Sequence, residues 1–336
     1  MRLLRKILLP VSWLYGGIIW LRNYGYDRGW FSSTSFDMPV ICIGNLRVGG
    51  TGKTPMTEYI ARLLKDKYRV ALLSRGYKRS SKGYVLAGPD ARVGELGDEP
   101  FQFYRKFPDV AVAVDANRTE GIKRLRKQIN PEVILLDDAF QHRKVRAGMY
   151  VLLTAYGDLY TDDVILPAGN LRDTKNQAAR ADIIVVTKCP AAMSTSEMKL
   201  IENRLQPKPH QQLCFATIDY DEFIYNRQGE RMPLSGIPDH ASLVTGIATP
   251  EPLLQHLDGL GLHYDHLSFP DHHNFSEGEI KNLQQKKFVL TTEKDFVRLE
   301  SQLEKVYYLP IKIKMLGEGK AVLTAKLLSV IGNYSL

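Results

Sequence analysis

Three cysteines in 336 residues, Cys42, Cys189 and Cys214, are an odd number without the spacing of a disulfide framework. Their scarcity argues against a small secreted scaffold and favours a reducing compartment. No uncharged apolar run reaches the roughly 20 residues that a membrane-spanning helix needs. The candidate run, Ile7 to Leu21, is interrupted by Pro10 and Gly16-Gly17. Internal repeats and low-complexity tracts are missing too, so no repeat architecture is indicated. Acidic residues are outnumbered by basic ones, 37 against 45, for a net charge of +8. That surplus suits an anionic partner: nucleic acid, a phosphorylated substrate or the anionic face of a membrane. What is plentiful is core material, 44% hydrophobic residues over a length that suits one large or two ordinary domains.

The stretch from Val40 to Thr54 organises the rest. An apolar strand, Val40 to Ile43, runs into Gly44, Gly49, Gly50 and Gly52 and ends in Gly52-Lys53-Thr54. This reads as a phosphate-binding loop: backbone N–H groups of Gly49, Gly50, Thr51 and Gly52 surround phosphate oxygens, and a helix starting near Thr54 directs its positive end to the same place. Lys53 then reaches the β- and γ-phosphates and Thr54 binds Mg²⁺. One departure stands out, because the strict pattern wants glycine where this chain has Arg47.

The N-terminus carries Arg2, Arg5 and Lys6 before the uncharged Ile7 to Leu21 run, with Trp13, Tyr15, Trp20 and Tyr24 within or just after it. These aromatic types settle at the lipid headgroup level, so an interfacial anchor over residues 1–30 is the favoured reading. An ordinary buried helix and a signal or spanning anchor are the alternatives, although no small-residue cleavage site follows the run.

Beyond the loop, apolar runs alternate with helical patterns as in a parallel α/β sheet. Val133-Ile-Leu-Leu runs into Asp137 and Asp138, placing a carboxylate at a strand end to hold Mg²⁺ beside the phosphate loop. Adjacent residues on an extended chain point to opposite sides, so one of the two acids faces the metal, and the spacing does not say which. Asp182 to Lys188 resembles the strand that ends in a base-reading motif in GTPases. It lacks the Asn and Asp of that motif, and Phe140 stands where a GTPase carries glycine, so guanine specificity has no support.

Gly44-Asn45-Leu46, Val48 to Pro55, Ser74 to Tyr77, Gly97 to Pro100, Asp137 to His142, Leu166 to Gly169 with Leu171-Arg172, Phe269 to His272 and Thr291 to Asp295 occur in one order. Together they resemble the tetraacyldisaccharide 4'-kinase family of lipid A biosynthesis. Ala139 replaces that family's usual glycine, a change that matters only if the position needs positive φ. The resemblance implies a P-loop kinase, and because the chain changes character after about Gln206, where Pro207-Lys-Pro209 marks a linker, the kinase domain is expected over residues 31–206 and a smaller α/β domain over 207–336. It also implies transfer of the ATP γ-phosphate, with Mg²⁺, to the 4'-hydroxyl of a lipid A disaccharide 1-phosphate precursor, at the cytoplasmic face of the bacterial inner membrane. No role is left for nucleic acid.

By the same resemblance Asp98 is the catalytic carboxylate, partnered by His272, with His273 as the competing choice. Arg118 and Arg172 stabilise phosphate charge, Arg172 and Tyr77 lie on the substrate side, and Gln141 sits with Asp137 and Asp138 at the metal. Each has a plainer alternative: Asp98 as a helix cap, Arg118 in a surface pair with Asp115 or Glu120. If His272 belongs to the second domain and Asp98 to the first, closure of the two assembles the base and excludes water. Two rivals stay open, a soluble small-metabolite kinase or synthetase and a nucleotide-gated membrane adaptor.

Overall fold

The computed structural model describes residues 5–271 and 273–334. A helix, α1 (Leu9–Asp27), precedes the first strand. The larger sheet is built from β1 (Val40–Asn45), β2 (Val70–Ser74), β3 (Val85–Leu86), β4 (Ala111–Val114), β5 (Val133–Asp137), β6 (Met149–Ala155), β7 (Ile183–Thr187), β8 (Gln212–Tyr220) and, late in the chain, a strand at Ile311–Met315. Its order is that late strand, then β8-β7-β6-β1-β5-β2-β4-β3. From β8 to β4 the pairing is parallel, and β3 closes the edge antiparallel to β4.

Buried on both faces, parallel strands read as unbroken apolar runs, which is why Val40–Ile43 and Ile183–Val186 show no alternation. Two apolar layers cover the faces. One contains Cys42, Leu73, Leu136, Phe140 and Val186, and the other Ile41, Ile43, Ile60, Leu72 and Val185. All three cysteines are buried and unbridged.

Strand order reverses direction at β1 and β6, since the chain goes from β1 towards β2 on one side and from β6 towards β8 on the other. At such a switch point the C-terminal strand ends open a crevice, and here the phosphate loop leaves β1.

The chain divides into Met1–Ile218 with Ile313–Leu336, and Asp219–Lys312. The sequence reading assigned everything after residue 206 to the second domain, and the structure corrects it at both ends. Strand β8 pairs with β7 from Ile183↔Gln212 onward and extends the first sheet. The last helix, Gly319–Gly332, buries Leu323, Leu327 and Ile331 in the first unit's core. The second unit has its own sheet, in which Ala241–Thr245 pairs in parallel with Tyr264–Ser268 and Val289–Thr292, and the last of these with Val306–Leu309.

Candidate active site

The phosphate loop passes into α2 (Lys53–Leu64) through Gly52, which caps the helix at φ 78. Gly49, at φ 106, and Gly52 adopt backbone conformations that L side chains avoid. These turns aim consecutive N–H groups into one concavity, the geometry of an anion nest. The loop is tied down from outside. Asn45 Nδ2 donates to Thr51 Oγ1 at 2.6 Å, and Thr187 Oγ1 donates to the Thr51 carbonyl at 2.8 Å. Arg47 does not obstruct the concavity, because its guanidinium turns away to pair with Asp158 and, at 2.9 Å, with Asp163.

At the end of β5, beside β1 in the register Ile43↔Asp137, two acids meet three cations. Asp137 is buried, and its Oδ1 accepts from Thr57 Oγ1 at 3.0 Å. Burial, with the Asp138 charge next to it, pushes the Asp137 carboxyl up to about 7. Burial alone would raise Asp138 as well, but Lys53 at 3.9 Å and the hydrogen bonds of Arg172 outweigh it and hold that carboxyl below its usual value. Arg172 donates to Asp138 Oδ2 at 3.1 Å and also grips Asp138 Oδ1 and Asn45 Oδ1. Lys53 itself is lowered by burial, with Asp138 opposing the shift.

Arg118 begins the helix Arg118–Gln128 and is only 4% exposed. Burial and the nearby Arg75 lower its guanidinium to about 10, while Asp138 and Asp137 oppose that shift. The surface-pair alternative therefore fails: Asp115 accepts instead from the Asn117 N–H, and Glu120 pairs with Arg124. Gln141 lies on the same turn as the acids, with its Nε2 donating to the Asn45 carbonyl at 2.6 Å. The positive φ of this turn falls on Asp138, at 46, and Ala139 does not share it, so alanine is tolerated there.

Asp98 is the first residue of α3 (Asp98–Lys106), whose cap is Gly97, so it is not itself the N-cap residue. A Cβ on Gly97 would come within 2.8 Å of the Tyr77 carbonyl, which shows how closely the turn after β2 packs at the start of α3. The Tyr77 ring is exposed. Lys53, Asp137, Asp138, Arg118 and Arg172 thus form one charge cluster, joined to the loop through Asn45 and Gln141. For Thr54, at the head of α2, no side-chain hydrogen bond or ion pair among the described residues defines a role.

His272 lies outside the described residues. His273 is described, and its ring is engaged: stacked on Phe269 at 4.9 Å, edge-on to Phe275, and bonded through Nε2 to Glu279 at 3.0 Å. Its neighbour Asp271 pairs with Lys294 at 3.0 Å, and Arg298 donates to the His273 carbonyl. The Lys294 pair gives part of the Thr291–Asp295 motif a structural task within the second unit.

Sequence reasoning missed Glu99 and Thr57. The charge of Glu99 acts on both Lys53 and Asp137, and it sits inside the Gly97–Pro100 segment already singled out. Thr57 lies three residues after Thr54, one helical turn along the same face, a spacing that could have found it.

The helix α1 carries its polar residues inward. Ser12 accepts from the Ala168 N–H at 2.8 Å, Asn23 donates to Asp173 at 2.7 Å, and Arg22 donates to the Gln141 carbonyl at 3.0 Å. Trp13, Leu14, Ile18, Trp20 and Leu21 face outward, each more than half exposed. A cavity of about 390 Å³, lined by Leu9, Trp13, Ile165 and Leu171 among others, opens beside the helix. Among the described residues, no helix is long and apolar enough to cross a membrane.

A parallel sheet with a phosphate loop at its switch point, followed by strand-end acids, lysine and arginines around one crevice, defines a P-loop phosphotransferase. The model of the tetraacyldisaccharide-1-P 4'-kinase family matches residues 4–331. A tetraacyldisaccharide 4'-kinase of Flavobacterium johnsoniae is 53% identical over 93% of both chains, and one of Bacteroides thetaiotaomicron is 45% identical over 93% of this chain and 90% of its own. The crystal structure of LpxK from Aquifex aeolicus in complex with ATP superposes with a TM-score of 0.78 at 33% identity, covering 98% of this chain and 99% of that one. The chain belongs to the tetraacyldisaccharide-1-P 4'-kinase family.

Proposed function

We propose that this enzyme transfers the γ-phosphoryl group of ATP to the 4'-hydroxyl of a tetraacyldisaccharide 1-phosphate lipid A precursor. The observation that carries this reading is the cluster of half-buried Lys53, buried Asp137 and half-buried Asp138 at the mouth of the phosphate loop, in a chain that the kinase family matches over residues 4–331. In the transfer, the acceptor oxygen bonds to Pγ, the Pγ–O bond to ADP breaks, and the hydroxyl proton passes to a base. Lys53 and Arg118 meet the charge on the γ-phosphoryl oxygens, and Arg172 fixes Asp138.

Among the described residues, no three His, Cys, Asp or Glu side chains form a ready metal cage. Mg²⁺ needs none, because it takes one or two protein oxygens together with ATP phosphates and water. Asp137 and the Thr54 hydroxyl suit it better than Asp138, which is held by Arg172; a divalent ion there would also favour the ionised form of a carboxyl that burial pushes up to about 7. For the proton acceptor we favour Asp98 with His272, because the ring of His273 is already engaged.

The outward apolar face of α1 supports seating at the cytoplasmic face of the inner membrane, where ATP and a lipid acceptor meet. Replacing Trp13, Leu14 and Ile18 together by serine spares the inward contacts of Ser12 and Asn23. This should release the protein from vesicles and raise KM for lipid far more than for ATP; unchanged vesicle binding would contradict the anchor. The reaction itself is tested by incubating the protein with γ-labelled ATP and the disaccharide 1-phosphate and mapping the labelled position. Label at the 4'-oxygen is the expected result, and label only in inorganic phosphate would refute it.

A further inference from the structure

The end of β7 resembles a base-reading strand, and Lys188, the residue that follows it, lies outside the charge cluster at the phosphate loop. Thr187 is fully buried and fastens the phosphate loop through the Thr51 carbonyl. The next residue, Lys188, turns into the left-handed region at φ 58, where a non-glycine residue is uncommon. The turn brings its ammonium to the loop: a Cβ placed on Gly50 would lie 3.8 Å from Lys188 Nζ. Among the described residues that ammonium makes no hydrogen bond and no ion pair. Lys188 is exposed as a residue, but the atoms around its ammonium partly desolvate it and lower its pKa, and the charge that opposes the shift, Asp158, is already gripped by Arg47. A lysine with three donors and no partner beside a phosphate loop is equipped for a ligand.

The sheet order says which part of the ligand. Lys53, Asp137 and Asp138 gather on the β5 side of β1, where the terminal phosphate must meet its acceptor. Lys188 stands on the opposite side, beyond β6, across the switch point. A nucleoside triphosphate whose γ-phosphate lies towards β5 carries its ribose and base over β6 and β7. We propose that Lys188 is a nucleoside-side contact, its ammonium bridging the crest of the phosphate loop at Gly50 and the sugar oxygens of bound ATP. This rests on the ATP reading above. Cys189 and Pro190 follow it, so no adjacent carboxylate is available to select a base.

The test compares ATP with inorganic tripolyphosphate as probes of the full-length protein by calorimetry, in wild type, Lys188→Met and Lys188→Arg. Methionine keeps an unbranched stem and removes the charge. Lys188→Met should weaken ATP by roughly tenfold or more, the effect of one lost charged hydrogen bond, and leave tripolyphosphate within about twofold. The loss should fall on KM for ATP rather than on kcat, and Lys188→Arg should recover most of the affinity. ATP affinity within about twofold of wild type in Lys188→Met would reduce Lys188 to a solvated surface lysine. Equal losses for both probes would make it a general counter-charge and overturn the nucleoside assignment. Wild-type protein that binds neither probe would overturn the ATP reading and this proposal with it.

Discussion

Two buried carboxylates meet the helix α2 within one turn of each other, and they are treated in opposite ways. Asp137 touches the helix through Thr57, has that hydroxyl as its one side-chain donor among the described residues, lies beside a second acid, and is pushed up to about 7. Glu58, the very next residue on α2, accepts from Gln102 at 2.9 Å and pairs with Lys106, both on α3, with Arg62 at 4.0 Å. Glu58 is therefore neutralised by side chains of the fold itself. The cations facing the Asp137 and Asp138 pair line a crevice where a phosphate would compete for them. The contrast separates charge that holds helices together from charge left incompletely compensated, which is where a metal and a substrate can supply the remainder.

The largest expected effect lies on the incompletely compensated side. Lys53→Ala should fold normally and lose at least about two to three orders of magnitude in kcat, because the transferring phosphoryl group loses its nearest fixed cation. Activity within about tenfold of wild type would merge the two clusters into one structural class.

The proton acceptor comes next. Asp98→Ala, His272→Ala and the double variant should each lose roughly 10²–10⁴-fold in kcat, with similar values for all three, because a base and its partner act as a unit. His273→Ala should leave kcat close to wild type and act on stability. Multiplicative losses for Asp98 and His272 would mean two independent sites.

A smaller effect sharpens the comparison through pH. In metal-free buffer the folded chain keeps a proton on Asp137 up to about pH 7, whereas the unfolded carboxyl, at 3.8, has lost it. Between those values the native state binds more protons, so this group makes stability fall as pH rises. His142 acts in the opposite sense: burial and Arg118 lower it to about 4 from 6.5, so its contribution rises with pH over that interval. Asp137→Asn removes only the first effect. Its melting temperature relative to wild type should climb by a few degrees between pH 5 and 7.5 and then level off, and a flat difference would mean that Asp137 is ionised in the fold.

Much of this was legible in the sequence because it is local. The strand, glycines, Lys53 and the two acids fall within short windows whose chemistry is nearly independent of the rest of the chain. The two departures from pattern were not legible, since their resolution is three-dimensional: Arg47 is accommodated by Asp158 and Asp163 far along the chain, and Ala139 by a left-handed turn that falls on Asp138. The domain boundary was misplaced because β8 reads as a strand whichever sheet receives it. Arg118 was offered Asp115 and Glu120 by sequence proximity, while its electrostatic neighbours come from other strand ends. In α1 the apolar content was plain, but not that Ser12 and Asn23 would be its buried face.

The account stands most directly on one paired measurement, single-turnover phosphate transfer and thermal unfolding of Asp137→Asn and Glu58→Ala at pH 8 with saturating ATP, Mg²⁺ and lipid acceptor. Asp137→Asn should lose transfer by about a hundredfold or more while melting no lower than wild type. Glu58→Ala should melt several degrees lower, because it strips Lys106 and Gln102 of their partner, yet transfer within about threefold of wild type per folded molecule. Transfer retained in Asp137→Asn, or lost in Glu58→Ala without a change in melting, would contradict the division of this chain's buried charge into catalytic and structural halves.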